Sequence, residues 1–327
     1  MFFFIKLCIL GLFIYLINKK INFDFDVIQS IDLNYLNLII GLFFTTLAMI
    51  VSSQRWREIL KLTSIKLTVK ESILYTYIGA YFNVFFPGDI GGDFIKIYYV
   101  NKDKKKSILS ISATVVIDRF IGLLTLLALP SFIFLFYTQN INLTIFNRSA
   151  SIDYLIYTTF FLSIAMFLLL INSKNVIQYF YRFLRDNSFF GSKIKKVSIA
   201  LSGLTSDLSK YMKSIIWSFL SQLMLYIGGY FIALSIVSSV DFLSWIILYP
   251  IIVALSSLPI TFSGVGLREY LFIIFSDSLN FQGGEIIIVV SILILLSMLS
   301  QSILGAIIYF FDNSNKEDIL NNKGGNL

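Results

Sequence analysis

Apolar residues fall in long unbroken blocks along this chain, and the charges gather between the blocks instead of alternating through them. A helix that is apolar on every side needs an apolar surrounding, and about 20 residues at 1.5 Å each cross a bilayer. Six blocks read as full spans: Phe2–Ile17, Leu33–Ser53, Ser107–Tyr137, Ile152–Ile171, Ile215–Ser238 and Glu285–Phe311. Two more are apolar but broken. Ser72–Val100 is interrupted by Pro87-Gly88-Asp89-Ile90-Gly91-Gly92-Asp93, and Phe242–Phe275 by Pro259-Ile260-Thr261-Phe262-Ser263-Gly264-Val265-Gly266. The pattern predicts an all-α polytopic membrane bundle with about eight embedded segments. It forms one domain over residues 1–311, followed by a polar tail, 312–327.

Composition agrees: the 327 residues are 57% hydrophobic and only 14% charged, against about 25% charged in a soluble domain. The first block resembles a signal peptide, yet Asn18-Lys19-Lys20 follows it where small residues would mark cleavage, so it is expected to stay as a helix. With no histidine and the single Cys8 in that block, neither a disulfide framework nor a thiolate metal site is expected. No cofactor, metal or catalytic residue is assigned.

Loop charges set the expected orientation. Arg55, Arg57, Lys61, Lys66 and Lys70 lie before the first broken block, and Lys102, Lys104, Lys105 and Lys106 after it. The connector 172–213 carries eight Lys and Arg among apolar residues at helical spacing, which suits amphipathic helices on an anionic inner leaflet. These segments are expected in the cytoplasm with both termini, in the cell membrane. Loops 21–32, 139–151 and 239–241, poor in Lys and Arg, are expected outside. This accounts for the net charge of +7 without nucleic acid as a partner.

Basic flanks on both sides of the first broken block make it enter and leave on one face, and the alternation of spans makes the second do so from the other. The chain then reads as two inverted halves, 1–137 and 151–311, each with a re-entrant hairpin, an arrangement of transporters whose site lies at the breaks. The alternative is eight crossings, two of them kinked by Pro and Gly. Charges held deep in a bilayer are costly and mark function or pairing. The candidate substrate-binding residues are Asp89, Gly91, Gly92, Asp93 and Lys96 at the first break, and Ser263, Gly264, Gly266, Arg268 and Glu269 at the second. Asp118 and Arg119 join them from a full span. A helix restarting after Gly92 would point its positive end at the break. Arg55, Trp56 and Arg57 are expected as an interfacial anchor or headgroup contact, and Asp24 and Asp26 form an acidic pair in an outward loop.

Arg55-Trp56-Arg57, Pro87-Gly88 with Gly91-Gly92-Asp93 and Lys96, Asp118-Arg119 with Gly122, and Gly264-Val265-Gly266-Leu267-Arg268-Glu269 together resemble the transmembrane region of lysylphosphatidylglycerol synthases and its stand-alone flippase-like relatives. Lys96 stands where that family more often has arginine. The resemblance implies translocation of an aminoacylated lipid, a phospholipid or a lipid-linked sugar. The lipid-synthesising activity belongs to a soluble domain that has no counterpart in this sequence, so the resemblance does not make the chain an enzyme. Two other roles stay open: a membrane glycosyltransferase using a lipid-linked donor, and a non-catalytic partner of an envelope-biosynthesis enzyme.

Overall fold

The computed structural model describes residues 11–17, 31–84, 90–134, 142–145, 148–151, 157–159, 161–165, 208–258, 264–276, 279, 281 and 284–311. Helix α1 is Tyr35–Leu62, α2 Val69–Asn83, α3 Ile90–Lys104 and α4 Ile108–Phe134. Strands β1 (Asn142–Ile145) and β2 (Arg148–Ser151) form an antiparallel hairpin with Asn142 opposite Ser151. Helix α5 is Met212–Leu234, α6 Phe242–Ser256, α7 Leu267–Ile274 and α8 Gly284–Phe311. The molecule is a membrane helix bundle, and among the described residues four helices are long and apolar enough to cross: α1, α4, α5 and α8. The strands are a departure from an all-α chain. The expected spans Phe2–Ile17 and Ile152–Ile171 are described only over 11–17, 157–159 and 161–165, all helical. The connector 172–213 is outside the described residues up to 207, as is the tail 312–327.

Hydropathy ended the second span at Ser53, but α1 continues to Leu62. It carries Arg55 and Arg57 inside because both side chains have acceptors there. Helix α2 begins where Thr68 and Glu71 cap each other: the Thr68 hydroxyl accepts from the Glu71 amide at 3.1 Å, and the Glu71 carboxylate accepts from the Thr68 amide at 2.6 Å. The first break is also shorter than its glycines suggest. Helix α3 resumes at Ile90, so Gly91, Gly92 and Asp93 lie in its first turn.

The glycines serve packing here. A Cβ on Gly92 would lie 2.6 Å from the Gly79 carbonyl oxygen, so α2 and α3 touch backbone to backbone. Tyr75 stacks on Tyr99 with centroids 5.3 Å apart, the Tyr75 hydroxyl donates to Asp103, and Lys104 pairs with Glu71 at 2.6 Å. These contacts run in opposite sequence directions, so α2 and α3 form an antiparallel hairpin.

Helices α1 and α5 also run antiparallel. The Asn34 amide donates to the Ser235 carbonyl at 2.8 Å, Gly41 and Gly228 abut, and the Ser221 hydroxyl donates to the Ala48 carbonyl at 3.1 Å. The Gly contact is reciprocal: a Cβ on Gly41 would meet the Gly228 oxygen at 2.9 Å, and one on Gly228 the Gly41 oxygen at 3.0 Å. In lipid, helices associate through such close backbone approach because no hydrophobic gain separates one apolar face from another. Helix α8 packs on α2, where Gly305 meets the Tyr77 backbone, and α4 packs on α6. Each long final helix thus covers the first arm of the other broken segment.

Gly305→Ala is expected to lower the melting temperature in detergent, because the added methyl would sit 1.9 Å from the Tyr77 carbonyl oxygen. Overpacking of this kind costs about 1–3 kcal/mol. Gly11→Ala, where the methyl meets nothing within 4 Å, is the control, and equal melting of the two variants would refute the close approach.

Candidate functional site

Four elements bring charges to the centre of the bundle. Arg55 of α1 forms a fork with Asp118 of α4, with Nε to Oδ1 at 2.6 Å and Nη2 to Oδ2 at 3.1 Å; its Nη1 donates to the Ser218 hydroxyl at 3.2 Å. Arg119, the next residue on α4, forms a second fork with Asp93 of α3 at 3.0 and 3.1 Å. Asp118 and Arg119 diverge to separate partners because adjacent helical side chains point about 100° apart. Gly122 lies one turn on, and a Cβ there would stand 3.0 Å from Arg55 Nη1.

At the second break Gly264 and Gly266 hold φ of 77° and 84°, the left-handed region that glycine enters without a Cβ clash. Helix α7 then starts at Leu267. Glu269 Oε2 accepts from the Gly266 amide at 2.5 Å, and its Oε1 accepts from the Ser291 hydroxyl at 2.6 Å. Arg268 donates to Ser291 at 3.0 Å and reaches Glu269 at 3.4 Å. This buried triad ties α7 to α8. Glu269 is therefore a cap and an ion-pair partner together.

Lys96 is different. It is half-buried, and its ammonium lies 5.3 Å from the centroid of the Trp56 ring, a cation–π distance. Among the described residues it has no hydrogen-bond or ion-pair partner. Arg119, Asp93, Arg55 and Asp118 surround it in one cavity of about 270 Å³ that also touches Gly79, Asn83 and Gly92. A second cavity of about 390 Å³ extends from there to Gly264 and Arg268. The two share a wall of Met49, Ser52, Arg55, Arg119, Met298 and Gln301. At 1.5 Å per residue, Arg55 lies about 30 Å into α1 and Arg119 about 16 Å into α4.

The structure thus gathers Gly92, Asp93, Lys96, Asp118, Arg119, Gly264 and Arg268 along two adjoining cavities. Glu269 and Gly266 stand behind Arg268, and Gly91 is buried in α3. Asp89, Ser263, Asp24 and Asp26 lie outside the described residues. The expected anion site at the start of α3 is partly taken, since the Gly92 amide donates to Asn83 Oδ1 at 2.5 Å. Arg55-Trp56-Arg57, expected as an interfacial anchor or headgroup contact, turns toward protein partners. Arg55 lines both cavities, Trp56 is buried and donates to Thr114 at 3.3 Å, and Arg57 donates to the Leu67 carbonyl and to Gln54. Gln222, Ser256, Ser297 and Gln301 also line the space and were not anticipated. Ser214, Ser218, Ser221 and Gln222 recur on one face of α5, and that spacing was the signal.

A family model described as "Lysylphosphatidylglycerol synthase TM region" matches residues 3–305. Comparison with curated proteins and with solved structures gave no match.

Removing one member of a buried pair leaves an uncompensated charge, at about 3–5 kcal/mol. Asp118→Leu is expected to destabilise the protein by that order, and Arg55→Leu/Asp118→Leu by much less. A double-mutant cycle of thermal melting in detergent checks this; additive losses would contradict the pairing.

Proposed function

We propose, since the chain belongs to the lysylphosphatidylglycerol synthase TM-region family, that this membrane protein moves an anionic lipid across the bilayer with the headgroup phosphate held at Lys96 and Arg119. The observation that carries the reading is Lys96: an ammonium without an anionic partner among the described residues, inside the bundle and opening on a cavity. An unpaired cation there is costly, and a phosphate would neutralise it. Arg119 offers a planar fork that suits phosphate as well as carboxylate, so a headgroup would replace Asp93 on it. The cargo class is a phospholipid or a polyprenyl-phosphate glycolipid.

Two features support an alternating path. Helices α2 and α3 have 15 residues each and α7 has 8, about 22 and 12 Å at 1.5 Å per residue, short of the hydrocarbon thickness. That suits hairpins dipping in from the two faces. The antiparallel α1–α5 seam with its reciprocal Gly contact suits a two-fold axis in the membrane plane, relating inverted halves as in transporters with a site at the broken helices. Rocking of one half against the other would open the shared wall to each leaflet in turn.

Proteoliposomes with fluorescent phosphatidylglycerol, bleached from outside by dithionite, test this. Transbilayer movement is expected to exceed that of empty vesicles. Lys96→Met should slow it about tenfold or more, the worth of one charge-assisted hydrogen bond, and Lys96→Arg should retain it. Movement equal to that of empty vesicles would remove the proposal.

A further inference from the structure

Arg119 faces two ways. It lines both cavities, yet its side chain is 44% exposed. On the same face of α4, one turn to either side of it, stand Val116 and Leu123, 59% and 40% exposed. On α3, Ile90 and Phe94 flank Asp93 and are 46% and 65% exposed. None of these four apolar side chains lines either cavity, so they belong to the outer surface of the bundle. The Arg119–Asp93 fork lies on the boundary between the smaller cavity and that surface, and it bars a slot between α3 and α4.

Depth along the helix says what surrounds the slot. Arg119 stands about 16 Å from the start of α4 and about 22 Å from its end. Apolar side chains are exposed on both sides of it along a spanning helix, so the outer surroundings are hydrocarbon. A charge left open to hydrocarbon is costly, and such charges face a polar cavity or a bound group.

A ligand that is apolar outside and anionic inside meets both conditions at one place. Its chains would lie on Val116, Leu123, Ile90 and Phe94, and its anionic group would reach the Arg119 guanidinium by a charge-assisted contact. Lys96 follows Asp93 by one turn of α3 and shares the smaller cavity with it, so the same anionic group can pass from one cation to the other. Helix α8, in contrast, lines both cavities with uncharged side chains only. The side toward α8 offers a headgroup no such relay.

Resting on the lipid reading above, we infer that the slot between α3 and α4 is the lateral entry for an anionic lipid. The phosphate displaces Asp93 from Arg119 and moves in to Lys96, while the chains stay outside on the apolar stripe.

Photo-cross-linking of the full chain tests the inference, in phosphatidylcholine vesicles that hold a minor share of phosphatidylglycerol. Benzoylphenylalanine is placed singly at Phe94 and Val116 on the slot, and at Ile39 of α1 and Leu296 of α8, exposed apolar positions elsewhere. Mass spectrometry of the adducts reads the ratio of the two lipids captured. At Phe94 and Val116 phosphatidylglycerol is expected to be enriched over the bilayer about tenfold or more, the worth of one charge-assisted contact. At Ile39 and Leu296 the ratio should equal that of the bilayer. Lys96→Met should return both slot positions to the bilayer ratio, and Lys96→Arg should keep the enrichment. Enrichment that depends on Lys96 but is as strong at Ile39 or Leu296 as at the slot would overturn the α3–α4 entry and leave the anionic-lipid reading standing. No enrichment at any of the four positions, or enrichment that Lys96→Met leaves unchanged, would remove both.

Discussion

Charge pairing inside the helix bundle is the constraint on which the structure depends. Arg55 and Asp118 have side chains only 12% and 9% exposed, and either charge left there without the other would be costly. Their fork joins α1 to α4, and the Ser218 contact of Arg55 adds α5. Arg268, Ser291 and Glu269 do the same for α7 and α8. With these groups neutralised in place, helices that carry charge can run through the centre of the bundle, and a polar space can persist there.

The second requirement is close approach. Gly79 against Gly92, Gly41 against Gly228 and Gly305 against Tyr77 bring backbones together where larger residues would hold them apart. The consequence for the site is direct. The Gly79–Gly92 contact fixes the rotation of α3, and with it the direction in which Asp93 and Lys96 leave the helix. Asp93 then meets Arg119, and Lys96 comes to rest over Trp56. The glycines of the first break therefore act through packing as much as through interruption of a helix.

Much of this was legible in the sequence, and the rest was hidden for identifiable reasons. Hydropathy locates α1, α4, α5 and α8 because lipid demands apolar surfaces over a fixed length. It misplaces the end of α1, because it counts Arg55 and Arg57 as exposed when both have acceptors, from three to 163 residues away. It also gives no register, so the joining of Arg55 with Asp118 could not be read. Glycines and prolines marked both breaks correctly but overstated the first, since Gly91 and Gly92 are helical. Gln222 and Ser256 lie in apolar blocks whose average outweighs single amides and hydroxyls. The short strands at 142–151 carry no strong alternation and went unseen.

The two arginine forks are alike in geometry but not in setting, and under the proposed transport that difference would give them different parts. Arg119 and Asp93 are 44% and 21% exposed, so water or a headgroup can reach the pair and compete for the guanidinium. Such an accessible pair is worth little to stability, which makes its exchange for a phosphate nearly neutral in energy. Arg55 and Asp118 are closed off, and separating them would leave two buried charges. Under the proposed function the pair on α1 and α4 would act as the fixed frame, and Arg119, its neighbour on the same helix, would be the group that exchanges Asp93 for a lipid phosphate.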